Sequence, residues 1–179
     1  DLESPFFDQL RPFNELFLKP AEDGSSIDVF RISCNKDLED AIADSVDPRR
    51  EFILEESIDF KELTVPILSG RCLPAVEIKT SESFYNFNAK YLNEDTQLTE
   101  LVLSEDKKNE LEEICLKTLD VMGCSGWLRV DLMQDRKNNF YVLEVNTAPG
   151  MTSHSLFPKS AESIGLSYND LVQEIINAQ

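Results

Sequence analysis

The sequence predicts an α+β fold, with largely antiparallel sheets and helices to one side. Two observations predict it. Short apolar or alternating runs follow one another around polar turns, as hairpin strands do. Helical periodicity is confined to a few separate stretches instead of following each strand, which a doubly wound sheet would require.

Glu15–Pro20 (ELFLKP) reads as a strand ended by its proline. The small, acidic loop AEDGSS follows, and Asp28–Ser33 (DVFRIS) alternates as its hairpin partner. Asn35–Val46 is an amphipathic helix with Asn35 as N-cap and Leu38, Ala41, Ile42 and Val46 at helical spacing. Glu51–Glu55 is a strand closing on the acids Glu55 and Glu56. Glu62–Leu68 and Leu73–Lys79 are strands joined around Ser69-Gly70, and Pro66 and Pro74 assign them edge positions or bulges. Residues 80–100 have little regular pattern, and a loop this long in a compact domain is usually functional or disordered. Ser104–Gly123 is the strongest helix. Ser104 caps it, Leu111, Ile114, Cys115, Thr118, Leu119 and Met122 form one stripe, and Gly123 closes it. Trp127–Met133 and Phe140–Val145 flank a polar turn as a β-hairpin. Helices over about 158–164 and 168–178, separated by Gly165, complete the chain.

The net charge of −17, from 34 acids against 17 bases, excludes a general nucleic-acid binder, which needs a basic face. It leaves nucleotides open, because a few lysines and metal ions can hold three phosphates. No apolar run is long enough to span a bilayer. Cys34, Cys72, Cys115 and Cys124 lack CxxC spacing and read as buried free thiols of a reducing compartment. The chain starts at Asp1 rather than Met, which reads as a piece of a longer protein, with processing giving the same appearance.

The chemistry concentrates in WLRVDLMQDRKNNFYVLEVNTAPGMTSH, residues 127–154. Arg129 and Asp131 are two apart on one run, as are Glu144 and Asn146 on the other, so each pair shares a strand face. If the hairpin joins those faces, one cation, two carboxylates and an amide converge as a hard-cation site. Solvated acids at strand ends are the plain alternative. Glu144 sits between Leu143 and Val145, where a bare carboxylate is costly unless paired or metal-bound. Such ligands suit Mg²⁺ or Mn²⁺, held partly by phosphate oxygens. Lys19 before PAEDGSS could meet a phosphate beside a nest of amides at Gly24-Ser25-Ser26, or could be an ordinary surface lysine. Neither GxxxxGK[ST] nor GxGxxG is present. Ser153-His154-Ser155 lacks both GxSxG and an acid partner, so a hydrolase triad is disfavoured.

FLKPAEDGSS, EFILEE with Glu62 beyond it, FYNFNAKYL, GCSGWLRVDLM and LEVNTAPGMTSHSL together resemble the ATP-grasp portion of the D-alanine–D-alanine ligases, from about Phe17 to Leu156. The resemblance implies an ATP-grasp fold, with residues 1–56 part of its small lobe (1–14 flexible) and 57–179 its large lobe. It implies cytoplasmic synthesis of D-alanyl-D-alanine for peptidoglycan precursors. ATP phosphorylates one D-alanine and the amine of a second attacks the acyl-phosphate. It implies two Mg²⁺ or Mn²⁺ ions on Asp131, Glu144 and Asn146, with Arg129 and the Gly150 amide stabilising the oxyanion. Lys19 and Lys90 would touch ATP phosphates. Glu55, with Glu56 and Ile58 after it, would bind the adenine side, Glu62 the ribose, and Phe84, Met133 and Leu143 would pack around the base. Ser25 and Tyr85 would orient substrate and close the loop. Ser155 and Leu156 would meet the second D-alanine.

Departures are Glu56, where the family often has a basic residue, and Ile27-Asp28 after GSS, where it frequently has a glycine. The family's N-terminal domain and first ATP-contacting lysine have no counterpart, so the chain alone is expected to have little activity. D-lactate or D-serine as acceptor, and a non-catalytic nucleotide-binding domain, are the alternatives. A homodimer of the full-length protein and fusion to another cell-wall ligase are both compatible with the resemblance.

Overall fold

The computed structural model describes residues 15–22, 27–79, 97–152 and 155–178. The chain divides into two compact units, one from Asp1–Ile58 and Thr80–Asp95, the other from Asp59–Lys79 and Thr96–Gln179. Its strands pair antiparallel and its helices are separate from them in sequence, so the fold is α+β.

In the first unit, β1 (Leu16–Pro20) lies between β2 (Phe30–Ile32) and β3 (Phe52–Glu56), antiparallel to both. Period-two alternation divides this sheet. Leu16, Leu18, Phe30, Ile32 and Leu54 pack with Leu38 and Ala41 of helix α1 (Asn35–Asp44), while Phe17, Lys19, Ile53 and Glu55 share the other face. Cys34, not Asn35, is the N-cap, because the Asp37 carboxylate reaches back to accept from the amides of Ser33 (2.7 Å) and Cys34 (3.1 Å). The strand expected from Asp28 begins only at Phe30. Asp28 has φ +58° in a turn, and its carboxylate accepts from Ser45 Oγ (3.0 Å) and the Val46 amide (2.9 Å) and pairs with Arg50. That fixes the chain beyond the helix, so α1 stops at Asp44 and Val46 is left 78% exposed instead of extending the stripe.

The second unit is a six-stranded sheet, ordered β7-β6-β4-β8-β9 with β5 also on β4. Its strands are β4 (Lys61–Leu68), β5 (Arg71–Cys72), β6 (Val76–Lys79), β7 (Gln97–Glu100), β8 (Trp127–Gln134) and β9 (Phe140–Asn146). Leu63, Val65 and Ile67 of β4 and Leu128, Val130 and Leu132 of β8 form one apolar face. Helix α2 (Glu105–Met122) covers it with Leu111, Cys115 and Leu119, which are spaced by four. At the end of the opposite face, Leu68 and Trp127 meet α3 (Leu156–Ser163) and α4 (Tyr168–Asn177). There Phe157 lies edge-on to Trp127, with ring centres 5.5 Å apart. Among the described residues no helix is long and apolar enough to cross a membrane.

Several expectations need correction. Pro66 is in the central strand, not at an edge. The β6 ladder ends at Thr64 and the β5 ladder begins at Ile67, so Pro66 fills the gap between them. Its carbonyl accepts from the Leu73 amide (2.8 Å) on that side, so its missing N–H falls away from β8, with which it pairs through Arg129. The strand expected over 73–79 begins only at Val76, and Leu73–Ala75 around Pro74 separate it from the short β5 at Arg71–Cys72. Positive φ at Ser69 and Gly70 turns β4 into β5 with a two-residue loop, as expected of a hairpin. β7 lies in the stretch read as irregular and is recruited by β6. Ser104 occupies the α2 N-cap without a side-chain cap bond, and Met122 is 61% exposed rather than part of the buried stripe. Helix α3 starts at Leu156, two residues before Pro158, which its first turn tolerates because amides there have no helical acceptor. All four cysteines are free, but Cys34 is exposed and only Cys115 is fully buried.

Leu63 is fully buried under α2, so Leu63→Ala should lower unfolding free energy by about 2–5 kcal/mol, read as a lower urea midpoint at unchanged slope. The turn from β8 to β9 hangs on Asp135, which accepts from the amides of Asn139 and Lys137 (both 2.8 Å). Those bonds, chiefly the Asn139 amide, hold its carboxyl below the ordinary aspartate value. A depressed folded value stabilises the turn above the ordinary range, and the contribution is lost as pH falls through the depressed value. The Lys137 and Asn139 amide resonances should therefore titrate with a midpoint below about 3.9, and Asp135→Ala should abolish the transition.

Candidate active site

The hairpin brings its four polar residues together by register. Arg129 pairs with Asn146 and Asp131 with Glu144, and cross-strand partners project from the same face. This is the face opposite α2, whose neighbours Val130 and Val145 turn the other way into the core. A bulge follows. Asp131 pairs with Glu144 but Leu132 with Val142, so Leu143 is the extra residue. A one-residue slip exchanges faces. The bulge therefore lets Tyr141, opposite Met133, share a face with Glu144 although the two are three residues apart. On the other side of β8, Asp131 pairs with Thr64 and Met133 with Glu62. Glu62, Thr64, Arg129, Asp131, Met133, Glu144 and Asn146 thus occupy one sheet face.

Asp131 is buried at 4% exposure. Its Oδ1 accepts from Thr64 Oγ1 (2.6 Å) and Arg129 Nε (2.7 Å), and its Oδ2 from Arg129 Nη2 (2.7 Å). The arginine grips the carboxylate with both arms of its fork, the arrangement a buried charge pair requires. Asn146 Oδ1 accepts from the Ala148 amide (3.0 Å), turning the chain into TAPG. Glu144 is exposed, contrary to the expectation of an apolar surrounding, and among the described residues β9 has a strand on one side only. Two carboxylates and one amide oxygen on one face fit a hard cation that takes its remaining oxygens from phosphate and water. Among the described residues no group of three His, Cys, Asp or Glu gathers as a metal site of its own.

The turn after β9 is built around Ser155. Its Oγ accepts from the Thr152 amide (3.0 Å) and lies 2.9 Å from Thr152 Oγ1, and its own amide donates to Thr152 O (2.9 Å). A Cβ on Gly150 would stand 2.9 Å from that Oγ, so only glycine fits there without displacement. Ser155 is the N-cap residue of α3, and Leu156 opens the helix with its side chain buried. The Tyr168 hydroxyl ties the turn to α4 through Met151 O (2.9 Å).

In the first unit Lys19 is engaged by Glu55 (2.7 Å) on the face away from α1, with Glu56 exposed and Ile58 half-buried after it. Ser25, Phe84, Tyr85 and Lys90, and the Gly24–Ser26 nest, lie outside the described residues. Sequence reasoning missed Thr64. Its signal was present as a hydroxyl inside the apolar run LTVPIL, two residues from Glu62.

The family model described as D-Ala-D-Ala ligase C-terminus matches residues 13–177. A D-alanine–D-alanine ligase of Haemophilus ducreyi is 41% identical over 161 residues, covering 90% of this chain and 53% of that protein. One from Saccharophagus degradans is 43% identical over 161 residues, covering 89% and 51%. The chain thus spans about half the length of the curated relatives it matches. A Bacillus anthracis D-alanine–D-alanine ligase, solved in complex with ATP, superposes with a TM-score of 0.80 at 30% identity, over 99% of this chain and 56% of that one. The VanG D-Ala:D-Ser ligase of Enterococcus faecalis gives 0.80 at 26% identity, over 96% and 52%. The ATP-grasp fold of these ligases is therefore the fold of this protein, and the chain belongs to the family of D-Ala-D-Ala ligase C-terminal domains.

Proposed function

We propose that the protein carrying this chain joins two D-alanines at the expense of ATP, as the cytoplasmic step that supplies D-alanyl-D-alanine to peptidoglycan precursors. The observation that carries the reading is the single face formed by Arg129, Asp131, Glu144 and Asn146, with Thr64 and Glu62 beside them. ATP phosphorylates the carboxylate of the first D-alanine. The amine of the second attacks the acyl carbon, negative charge gathers on its oxygen, and phosphate leaves as the peptide bond forms. Arg129 and the Gly150 amide are assigned to that oxyanion, where fixed donors stabilise charge as it develops. Asp131, Glu144 and Asn146 would hold two Mg²⁺ or Mn²⁺ ions, which neutralise phosphate charge when bound. Arg129 grips Asp131 from the same strand face, so it stands beside any cation held there.

The remaining roles are assigned residue by residue. Lys19 and Lys90 bind ATP phosphates, which for Lys19 means exchanging Glu55 for a stronger anion. Glu55, Glu56 and Ile58 serve the adenine and Glu62 the ribose, with Phe84, Met133 and Leu143 around the base. Ser25 and Tyr85 orient substrate. Ser155 and Leu156, at the start of α3, receive the carboxylate of the second D-alanine, which a helix N-terminus favours.

Measured on the whole protein as ADP release with D-alanine, Arg129→Ala should lower kcat about 10²–10³-fold with little change in KM for ATP. Glu144→Gln should abolish divalent-dependent release and the thermal protection that Mg-ATP gives. With D-alanine as donor, D-alanine should exceed D-serine and D-lactate as acceptor. Equal use of D-lactate would move the assignment to a depsipeptide ligase, and no ADP release with any acceptor would reject catalysis.

A further inference from the structure

We infer that Thr64 is a positioning residue for the cation, acting through Asp131; this rests on the metal role proposed for that carboxylate. Thr64 is fully buried in the central strand of the second unit and is the register partner of Asp131 across the β4–β8 ladder. Its hydroxyl donates to Asp131 Oδ1 at 2.6 Å, the short distance typical of a hydroxyl on a charged oxygen.

Its neighbours show what it adds. Leu63 and Val65, on either side, face α2 and build the core, whereas Thr64 faces the polar side of the sheet. Packing alone would be met there by valine, which has the same branched shape and suits a strand better than a hydroxyl that needs a partner. Among the described residues the other hydrogen bonds to that carboxylate come from Arg129, so Asp131 is held in two different ways. Arg129 reaches along β8 from two residues away and touches both oxygens. Thr64 reaches across from another strand and touches only Oδ1.

A cation on Oδ1 displaces Arg129 Nε, whereas one on Oδ2 shares that oxygen with Arg129 Nη2. The Thr64 bond need not break. Oδ1 has lone pairs for one donor and one ligand, and Oδ2 is not contacted by Thr64 at all. Thr64 therefore fixes the carboxylate plane in either case. This is how partners behind metal-binding carboxylates act elsewhere, and their loss typically weakens affinity 10–100-fold. Threonine at 64 sets how tightly the cation is bound, while the chemistry belongs to the residues facing the substrate.

The test is Mn²⁺ binding followed by electron paramagnetic resonance on the whole protein, with a non-hydrolysable ATP analogue. Wild type, Thr64→Val, Thr64→Ser and Asp131→Asn are compared, each with a melting temperature. Thr64→Val, nearly the same shape, should weaken Mn²⁺ binding 10–100-fold, Thr64→Ser should restore most of it, and Asp131→Asn should weaken it at least as much as Thr64→Val. Wild-type Mn²⁺ affinity in a folded Thr64→Val, with Asp131→Asn impaired, would overturn the role of Thr64 and leave the metal assignment standing. Wild-type affinity in Asp131→Asn would overturn both. If Thr64→Val does not fold, Thr64→Ala decides in the same way, and weakening by alanine that serine does not share supports the hydroxyl.

Discussion

A carboxylate buried in a sheet face is costly unless it is paired and hydrogen-bonded. Asp131 is bonded on both oxygens, by Thr64 from β4 and by Arg129 from its own strand. The Thr64 bond can form only if β4 and β8 are in the observed register, with Thr64 opposite Asp131. The same register places Leu63, Val65, Ile67, Leu128, Val130 and Leu132 on the other face, where α2 covers them. A slip by one residue would bury the charges under the helix and expose the leucines. The polar constellation and the hydrophobic core are thus two sides of one constraint. The Thr64–Asp131 bond raises the cost of the wrong register.

The edge of the sheet is treated differently. Among the described residues β9 pairs with β8 alone, and its middle, Tyr141 to Glu144, is exposed. The bulge at Leu143 sets which of these residues share the face with Asp131. Without it, Tyr141 and Glu144 would point to opposite faces. Beyond the strand the chain is held by local bonds between Asn146 and Ala148 and between Thr152 and Ser155 and by a longer-range bond from Tyr168 to Met151, with Gly150 admitting Ser155 at close range. A rigid strand pair followed by a tightly tied turn is suited to placing charged groups reproducibly.

Much of this was legible in the residues. Alternation identified the β8–β9 hairpin, the two-residue spacing paired Arg129 with Asp131 and Glu144 with Asn146, and the α2 stripe named Leu111, Cys115 and Leu119. What was not legible depends on partners far along the chain. Pro66 reads as an edge signal unless one knows that two short ladders stop on either side of it. β7 has no strong pattern of its own and exists because β6 offers an open edge. The early stop of α1 comes from Asp28, 17 residues before Ser45, a contact no local window contains. Glu144 was read as sheltered because its neighbours are apolar, yet an edge strand can expose apolar residues. Thr64 was passed over because one hydroxyl in a strand is common, and only the register reveals that it faces a carboxylate.

On the function proposed above, the cation required for ATP chemistry is held by the β8–β9 face. The most direct measurement is the anomalous scattering of Mn²⁺ in crystals of the whole protein grown with an ATP analogue. Mn²⁺ should be bound directly by Asp131, Glu144 and Asn146, with the Thr64 hydroxyl still on Asp131 Oδ1. Mn²⁺ bound to other residues would contradict this assignment.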